Sequence, residues 1–369
     1  MRARCVRLTW LEVSDFRSYR RIRWAPDPRI NVVVGRNASG KTNLLEAVGY
    51  LASLRSFRGI PDAALVRTGA ERSVLRGEVV TPDRTTRIEV ELPRAGRRRA
   101  QVNGTRLARL ADLVGEVRTI TFLPDDLDLI KRGPSRRRGL LDSVAVQLWP
   151  GAYRDQQEYE RALRQRNMLL KQMGRRTDPI TLEVWDERLG RAGARVMARR
   201  RAVVEAIEER AGVAYRALAG DATGVRIDYR SKWGAATASD RPGWVEALRK
   251  ALGEARSADL ERRVSTVGLH RDDVRLLLDD RDSRIQASQG EQRTLTLALR
   301  LASHQAVEQS VGQPPLLLLD DIFSELDRER SAALARSLPA AQTFISTARD
   351  EEVPLPNGRR WRLENGILG

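Results

Sequence analysis

Gly35-Arg36-Asn37-Ala38-Ser39-Gly40-Lys41-Thr42 is the stretch on which the fold turns. It fits the pattern G-x-x-x-x-G-K-[ST], and its flanks fit too. The apolar run Ile30–Val34 before it reads as a short buried strand. Asn43-Leu44-Leu45-Glu46-Ala47 after it opens a helix that runs to about Leu54. Backbone N–H groups of such a loop and of the first helical turn converge on an anion. The whole run from Gly35 through Asn43 is therefore expected to cradle nucleotide phosphates. Gly35 and Gly40 allow a close approach that a Cβ would hinder. Lys41 brings a point charge to the β/γ-phosphates, and Thr42 a hydroxyl to Mg²⁺.

Further along, Leu316-Leu317-Leu318-Leu319-Asp320-Asp321 reads as a buried strand ending in two carboxylates. Alone it could equally be a core strand with solvated acids at its end. With a P-loop in the same chain it reads as a Walker B strand. Asp320 then holds Mg²⁺ through water, and Asp321 positions or deprotonates the attacking water. Between the two lies Gln286-Ala287-Ser288-Gln289-Gly290-Glu291-Gln292-Arg293. Ser288 suits an N-cap, and the helix dipole behind it favours an anion. Ser324-Glu325-Leu326-Asp327 follows the Walker B strand.

The order P-loop, Ser-x-Gly-x-Gln, Walker B, Ser-Glu-Leu-Asp resembles the ABC-type ATPases of the SMC/Rad50 group. Six further stretches narrow the resemblance to the RecF family of bacterial recombination mediators. They are Leu11–Arg17, Asn43–Ala47, Leu54–Arg58, Pro134–Asp142, Gly268–Asp273 and Ser288–Thr294. The similarity is collinear from about Leu8 to Asp327. It departs in two places. Ala38 stands where that family usually has glycine, and its small side chain is expected to be tolerated. Thr347 stands where ABC ATPases often carry a γ-phosphate-sensing histidine, which fits slow hydrolysis.

The resemblance implies the rest of the expectation. The signature residues Ser288, Gly290 and Gln292 cap ATP held by a second copy. Two chains sandwich two ATPs in an isologous homodimer, and weak, DNA-stimulated hydrolysis resets it. Lys41, Asp320 and Asp321 carry the chemistry, with ATP and Mg²⁺ (on Thr42 and Asp320) as cofactors. The dimer binds double-stranded DNA and gapped or single-strand junctions. With RecR- and RecO-type partners it helps load recombinase in DNA repair, replication restart and the SOS response. Competing readings are a transporter ATPase subunit and a short SMC-like structural clamp. The 279 residues from Lys41 to Asp320 disfavour the first, and the lack of a sustained heptad seam disfavours the second.

Composition agrees. The chain of 369 residues carries 66 Lys and Arg against 49 Asp and Glu, a net +17 that attracts polyanions. Only five of those cations are lysine, so part of the arginine excess is compositional bias. Candidate DNA contacts are Arg97–Arg99, Arg136–Arg138 and Arg199–Arg201. Each equally suits a solvated helix or hairpin face, and Arg136–Arg138, inside one of the quoted stretches, equally suits a structural role. Cys5, the single cysteine, excludes an internal disulfide, and with His304 it is expected to pack in the core. His270 is expected to be structural or near the nucleotide. No signal peptide and no ~20-residue apolar span is recognisable, so a cytoplasmic protein is expected, without a membrane.

In outline, the first third alternates strands: Val6–Val13, Tyr19–Trp24, Ser73–Val80, Thr86–Leu92, Val117–Leu123 and an Asn103-Gly104 hairpin. Long helices are expected at Ala152–Met173 and Thr181–Leu218. Strands return at Val225–Tyr229, Val274–Leu278 and Arg284–Gln286, with a helix from about Gly290 to Gln309. The fold expected is α/β, an ABC-type ATPase head with an inserted, mostly helical lobe. The head takes residues 1–124 and 265–369, and the lobe 125–264.

Overall fold

The computed structural model describes residues 6–234, 240–364 and 366–369, so Cys5 lies outside the described residues. The chain divides into two compact units. One takes the chain up to Asp128, Arg210–Thr223 and Gln289–Gly369; the other takes Leu129–Glu209 and Gly224–Ser288.

The first unit holds two six-stranded sheets. One is antiparallel, in the order Tyr19–Trp24, Arg7–Phe16, Arg72–Val80, Thr85–Pro93, Arg99–Val102, Thr105–Arg106. Burial alternates along Arg72–Val80, as expected of a sheet with one face in the core. Asn103 and Gly104 both take positive φ (50° and 79°), the hairpin geometry their sequence signals.

The other sheet runs Ile367–Leu368, Arg359–Glu364, Ile30–Val34, Thr343–Thr347, Leu316–Asp320, Thr119–Phe122. All its pairings are parallel except that of the first two strands. Leu316–Asp320 is buried at every residue, which is why it reads as an unbroken aliphatic run. The helix Lys41–Ser53 contacts strands of both sheets and is buried at every position from Leu44 to Ala52. A helix in that place must be apolar nearly all round, and from Leu44 to Ala52 its sequence is, with the exception of Glu46.

The second unit packs the helices Pro134–Leu148, Gly151–Met173, Arg241–Glu254 and Arg256–Arg262 with most of the long helix Pro179–Ala219. That last helix has 41 residues, about 60 Å at 1.5 Å per residue. A three-stranded antiparallel sheet completes it. Asp273–Leu278 pairs along its whole length with Val225–Arg230. That pairing keeps residues 265–288 in the second unit, whereas the sequence places the boundary at 264. The expected strand Arg284–Gln286 is instead part of a helical turn, Ser283–Gln286, whose start is fixed by the Asp282 carboxylate accepting from Arg284 N. No helix among the described residues is long and apolar enough to cross a membrane.

Candidate nucleotide-binding site

Strand register assembles the site. Val33 lies opposite Ser346, and Ser346 opposite Asp320. Three neighbouring parallel strands therefore end together, and the loops after their carboxyl ends share one edge, where open parallel sheets bind ligands. The P-loop leaves the first strand, Thr347 ends the second, and Asp321 follows the third.

Within the P-loop each glycine has a distinct steric reason. A Cβ on Gly35 would stand 2.6 Å from the Leu363 carbonyl oxygen, so the adjacent strand forbids it. Gly40 has φ +109° and sits against the Tyr19 hydroxyl, which donates to the Gly40 carbonyl at 2.9 Å. Ala38 has φ +65°. An L-residue there is strained by about 1–2 kcal/mol, so Ala38 fits by volume but not by backbone preference.

Lys41 donates from Nζ to the carbonyls of Gly35 (2.7 Å) and Arg36 (3.0 Å), which places the ammonium inside the curl of the loop. Burial pushes its pKa down, while Asp321 and Asp320 pull it back up. Thr42 Oγ1 donates to Asp320 Oδ1 at 2.9 Å, and Ser346 Oγ donates to the same oxygen at 2.6 Å. Burial raises the Asp320 pKa, opposed by those two hydrogen bonds and by the Arg58 charge. Asp321 has φ 50°, its N–H held by Ser346. Its Oδ1 is buried with no hydrogen-bond partner among the described residues, and so is Ser39 Oγ. The Ser39 hydroxyl beside a buried lysine is a free donor for a phosphate, whereas the Asp321 oxygen is a free acceptor for a water.

Thr347 is fully buried, and its hydroxyl donates to Arg349 O and Glu352. Asn43 Nδ2 donates to Ser18 Oγ at 2.9 Å. Residues that sequence reasoning left without a role appear behind the loop. Glu46, fully buried on the P-loop helix, is held by Arg17 Nε at 2.8 Å and by Ser56. This ties three of the quoted stretches to one carboxylate. Arg58, from Leu54–Arg58, is exposed and its charge reaches Asp320.

Ser288 immediately precedes the helix Gln289–Val311. The Arg330 guanidinium covers Gly290 and would have to move aside for a Cβ there. Arg330 also binds Thr294 and Asp327, and Arg293 donates to Glu325 O at 2.7 Å. The Ser-Glu-Leu-Asp turn is thus tied to the start of the signature helix. His270 is far simpler: it packs against Tyr159 and Ser265 in the second unit. His304 is buried against Pro315, as expected.

The arginine triplets are largely committed to the fold. Arg98 binds Tyr50, Leu54 O and Asp62; Arg137 forks onto Asp273; Arg200 forks onto Asp142 and reaches Tyr229 and Leu269 O. Arg138 donates to Asp272 O, Arg199 lies over Trp149, and Arg201 over Trp244. Their central members are structural, as the motif around Arg137 allows, whereas Arg98 and Arg200 read as solvent-facing in sequence.

Residues 7–355 match the family described as RecF/RecN/SMC N terminal domain. The chain is 42% identical to the DNA replication and repair protein RecF of Acidothermus cellulolyticus, over 96% of each chain. It is 40% identical to that of Streptomyces avermitilis, over 98% of this chain and 99% of the other. A solved structure of the recombination mediator protein RecF with ATP, in the RecFOR pathway, superposes with a TM-score of 0.88 at 30% identity, covering 99% and 98%. An Smc head bound to the C-winged helix domain of ScpA shares the fold at TM-score 0.54 and 16% identity, covering 98% and 95%.

Proposed function

This chain belongs to the RecF/RecN/SMC N-terminal-domain family and, within it, to the RecF DNA replication and repair proteins; from that premise we propose that it is an ATP-switched DNA clamp. The observation that carries the proposal is the convergence of Lys41, Thr42, Asp320 and the unpartnered Asp321 carboxylate at one sheet edge. The loop amides of Gly35–Asn43 and the Lys41 ammonium bind the phosphates. Thr42 and Asp320 offer the hard oxygen donors that suit Mg²⁺, which supplies charge neutralisation on the phosphates. Asp321 Oδ1 is free to accept from the attacking water. Ser288, Gly290 and Gln292 belong to a surface that completes the site of a second copy, so ATP bridges two chains into an isologous dimer. Hydrolysis is slow, since the Thr347 hydroxyl is already engaged by Arg349 and Glu352 and does not act as a sensor. DNA, gapped or duplex, binds the ATP dimer through phosphates, and the RecR- and RecO-type partners act with it in loading recombinase.

Sedimentation velocity with and without ATP and gapped DNA tests this. A monomer that becomes a dimer only with ATP, and binds DNA in that state, is the expected result. A sedimentation coefficient indifferent to ATP contradicts it.

A further inference from the structure

A second concave surface lies in the helical unit, between Gly151–Met173 and Pro179–Ala219. It is a cavity of about 380 Å³ lined by Glu158, Arg161 and Ala162 from one helix and Trp185, Arg188, Arg191, Ala192 and Arg195 from the other. Its cause is legible in the residue sizes. Ala162 and Ala192 sit buried where two helices meet, and neither side chain is long enough to fill the seam. Trp185, half-buried, forms one wall, with the Arg188 guanidinium 5.0 Å from its ring centroid.

The rim is unevenly neutralised. Arg195 is paired with Asp155 and Glu158, and Arg191 with Glu187. Arg161 and Arg188 are exposed and have no carboxylate within 4.0 Å among the described residues. Apolar side chains continue from the cavity toward the connector between the two helices. Val184 is 47% exposed, Met168 46% and Ile180 73%. Two unmatched cations beside an apolar pocket and an exposed apolar strip are unlike a phosphate track. A nucleic-acid backbone would meet Glu158, Glu160 and Glu187 interspersed among the arginines, with no continuous positive row.

We propose that this groove docks an acidic peptide segment of a partner protein, inserting one aromatic or aliphatic side chain beside Trp185 and placing carboxylates on Arg161 and Arg188. The anchor side chain gains apolar contact with Trp185, Ala162 and Ala192. The carboxylates gain bidentate guanidinium partners that have no carboxylate of their own among the described residues. This stands independently of the nucleotide reading, since no residue of the P-loop, Walker B strand or signature takes part.

The test uses the full chain and a fluorescein-labelled peptide of aspartates and glutamates around one central phenylalanine, followed by fluorescence anisotropy. Saturable binding is expected. Replacing the phenylalanine by alanine should weaken it by about tenfold, one apolar side chain's worth of contact. Arg161→Glu with Arg188→Glu should weaken it by at least about tenfold, with ATP binding unchanged. Ala192→Leu, which fills the seam, should weaken it as well. Should that variant fail to fold by circular dichroism, the surface charge reversal decides. No saturable binding to the wild-type chain, or equal affinity after charge reversal, overturns the proposal. So does displacement of the peptide by an oligothymidylate that itself stops binding in the charge-reversed chain, because the groove is then a nucleic-acid contact.

Discussion

Lys41 and Asp321 illustrate how single side chains divide the work of the site. Lys41 is a buried cation whose partners in the fold are two carbonyls and two nearby carboxylates. Lys41→Ala removes a charge-assisted contact to phosphate, a loss of roughly 1.5–3 kcal/mol. Equilibrium ATP binding should weaken by roughly ten- to a hundredfold; unchanged affinity would remove Lys41 from the site. Asp321 differs because its Oδ1 has no partner to lose. Asp321→Asn should therefore bind ATP as the wild type does while hydrolysis falls by roughly 10²-fold or more, trapping the dimer. If single-turnover hydrolysis continues at the wild-type rate, another group positions the water. Ala38, at φ +65°, carries strain that glycine would relieve.

At the scale of the element, a helix and the turn before a strand carry buried groups whose titration has opposite signs. His304, on the signature helix, is buried, and burial pushes its pKa down to about 4 despite its contact with Pro315 O. The unfolded chain takes up that proton below about pH 6.5 while the folded chain does not. His304 therefore contributes full stability above pH 6.5, lost progressively as pH falls toward 4, about 3 kcal/mol in all. Asp272 runs the other way: burial pushes its carboxyl up to about 6, opposed by hydrogen bonds from Tyr229 and Trp233. His304→Gln keeps a donor for Pro315 O and removes the titration. Its urea midpoint should drop less than that of wild type between pH 7 and pH 5; parallel drops would mean that the ring is not held neutral. Arg200 tests the same helical unit mechanically. Arg200→Ala removes the buried partner of Asp142, whose side chain is 27% exposed, so the loss should be smaller than the ~3–5 kcal/mol of a fully buried pair. The melting temperature should fall and the salt dependence of DNA binding should not change.

For the whole molecule the net charge of +17 and the proposed ATP-bridged dimer make one quantitative statement. Each neutralised phosphate contributes a log–log salt slope of about −0.9 on duplex DNA. A dimer presents twice the contacts of a monomer, so the slope should be steeper with ATP than without it. Anisotropy titrations over a salt series measure this, and identical slopes in both nucleotide states would refute the clamp. Ser288→Arg should leave ATP binding to one chain intact and abolish the ATP-dependent dimer in light scattering. Persistence of that dimer would rule out capping by the second copy. Arg97 and Arg99 remain candidates for phosphate contact, whereas the central Arg98, Arg137 and Arg200 do not.

Local pattern was enough to place the strand and helix that flank Gly35–Thr42, the strand Leu316–Asp320, the helix after Ser288 and the two long helices. Each is a contiguous run whose own periodicity, glycines and flanks specify its conformation. Even the Asn103-Gly104 turn is set by two residues. The charged strand Arg359–Glu364 escaped notice because it lies toward the sheet edge, where a parallel partner on Ile30–Val34 asks little of its side chains. The roles of Glu46, Arg58, Arg98 and Arg200 were likewise invisible. An arginine in a run of three reads as solvated until an acid distant in sequence, such as Asp142 for Arg200, is brought against it. Strand register decided the site itself: Val33 lies hundreds of residues before Asp320 and Ser346 along the chain, and the three become one row only through hydrogen-bonded pairing. Short-range pattern specifies elements because backbone preference is local. Buried charge pairing and the meeting of strand ends depend on which elements become neighbours, and only the tertiary structure decides that.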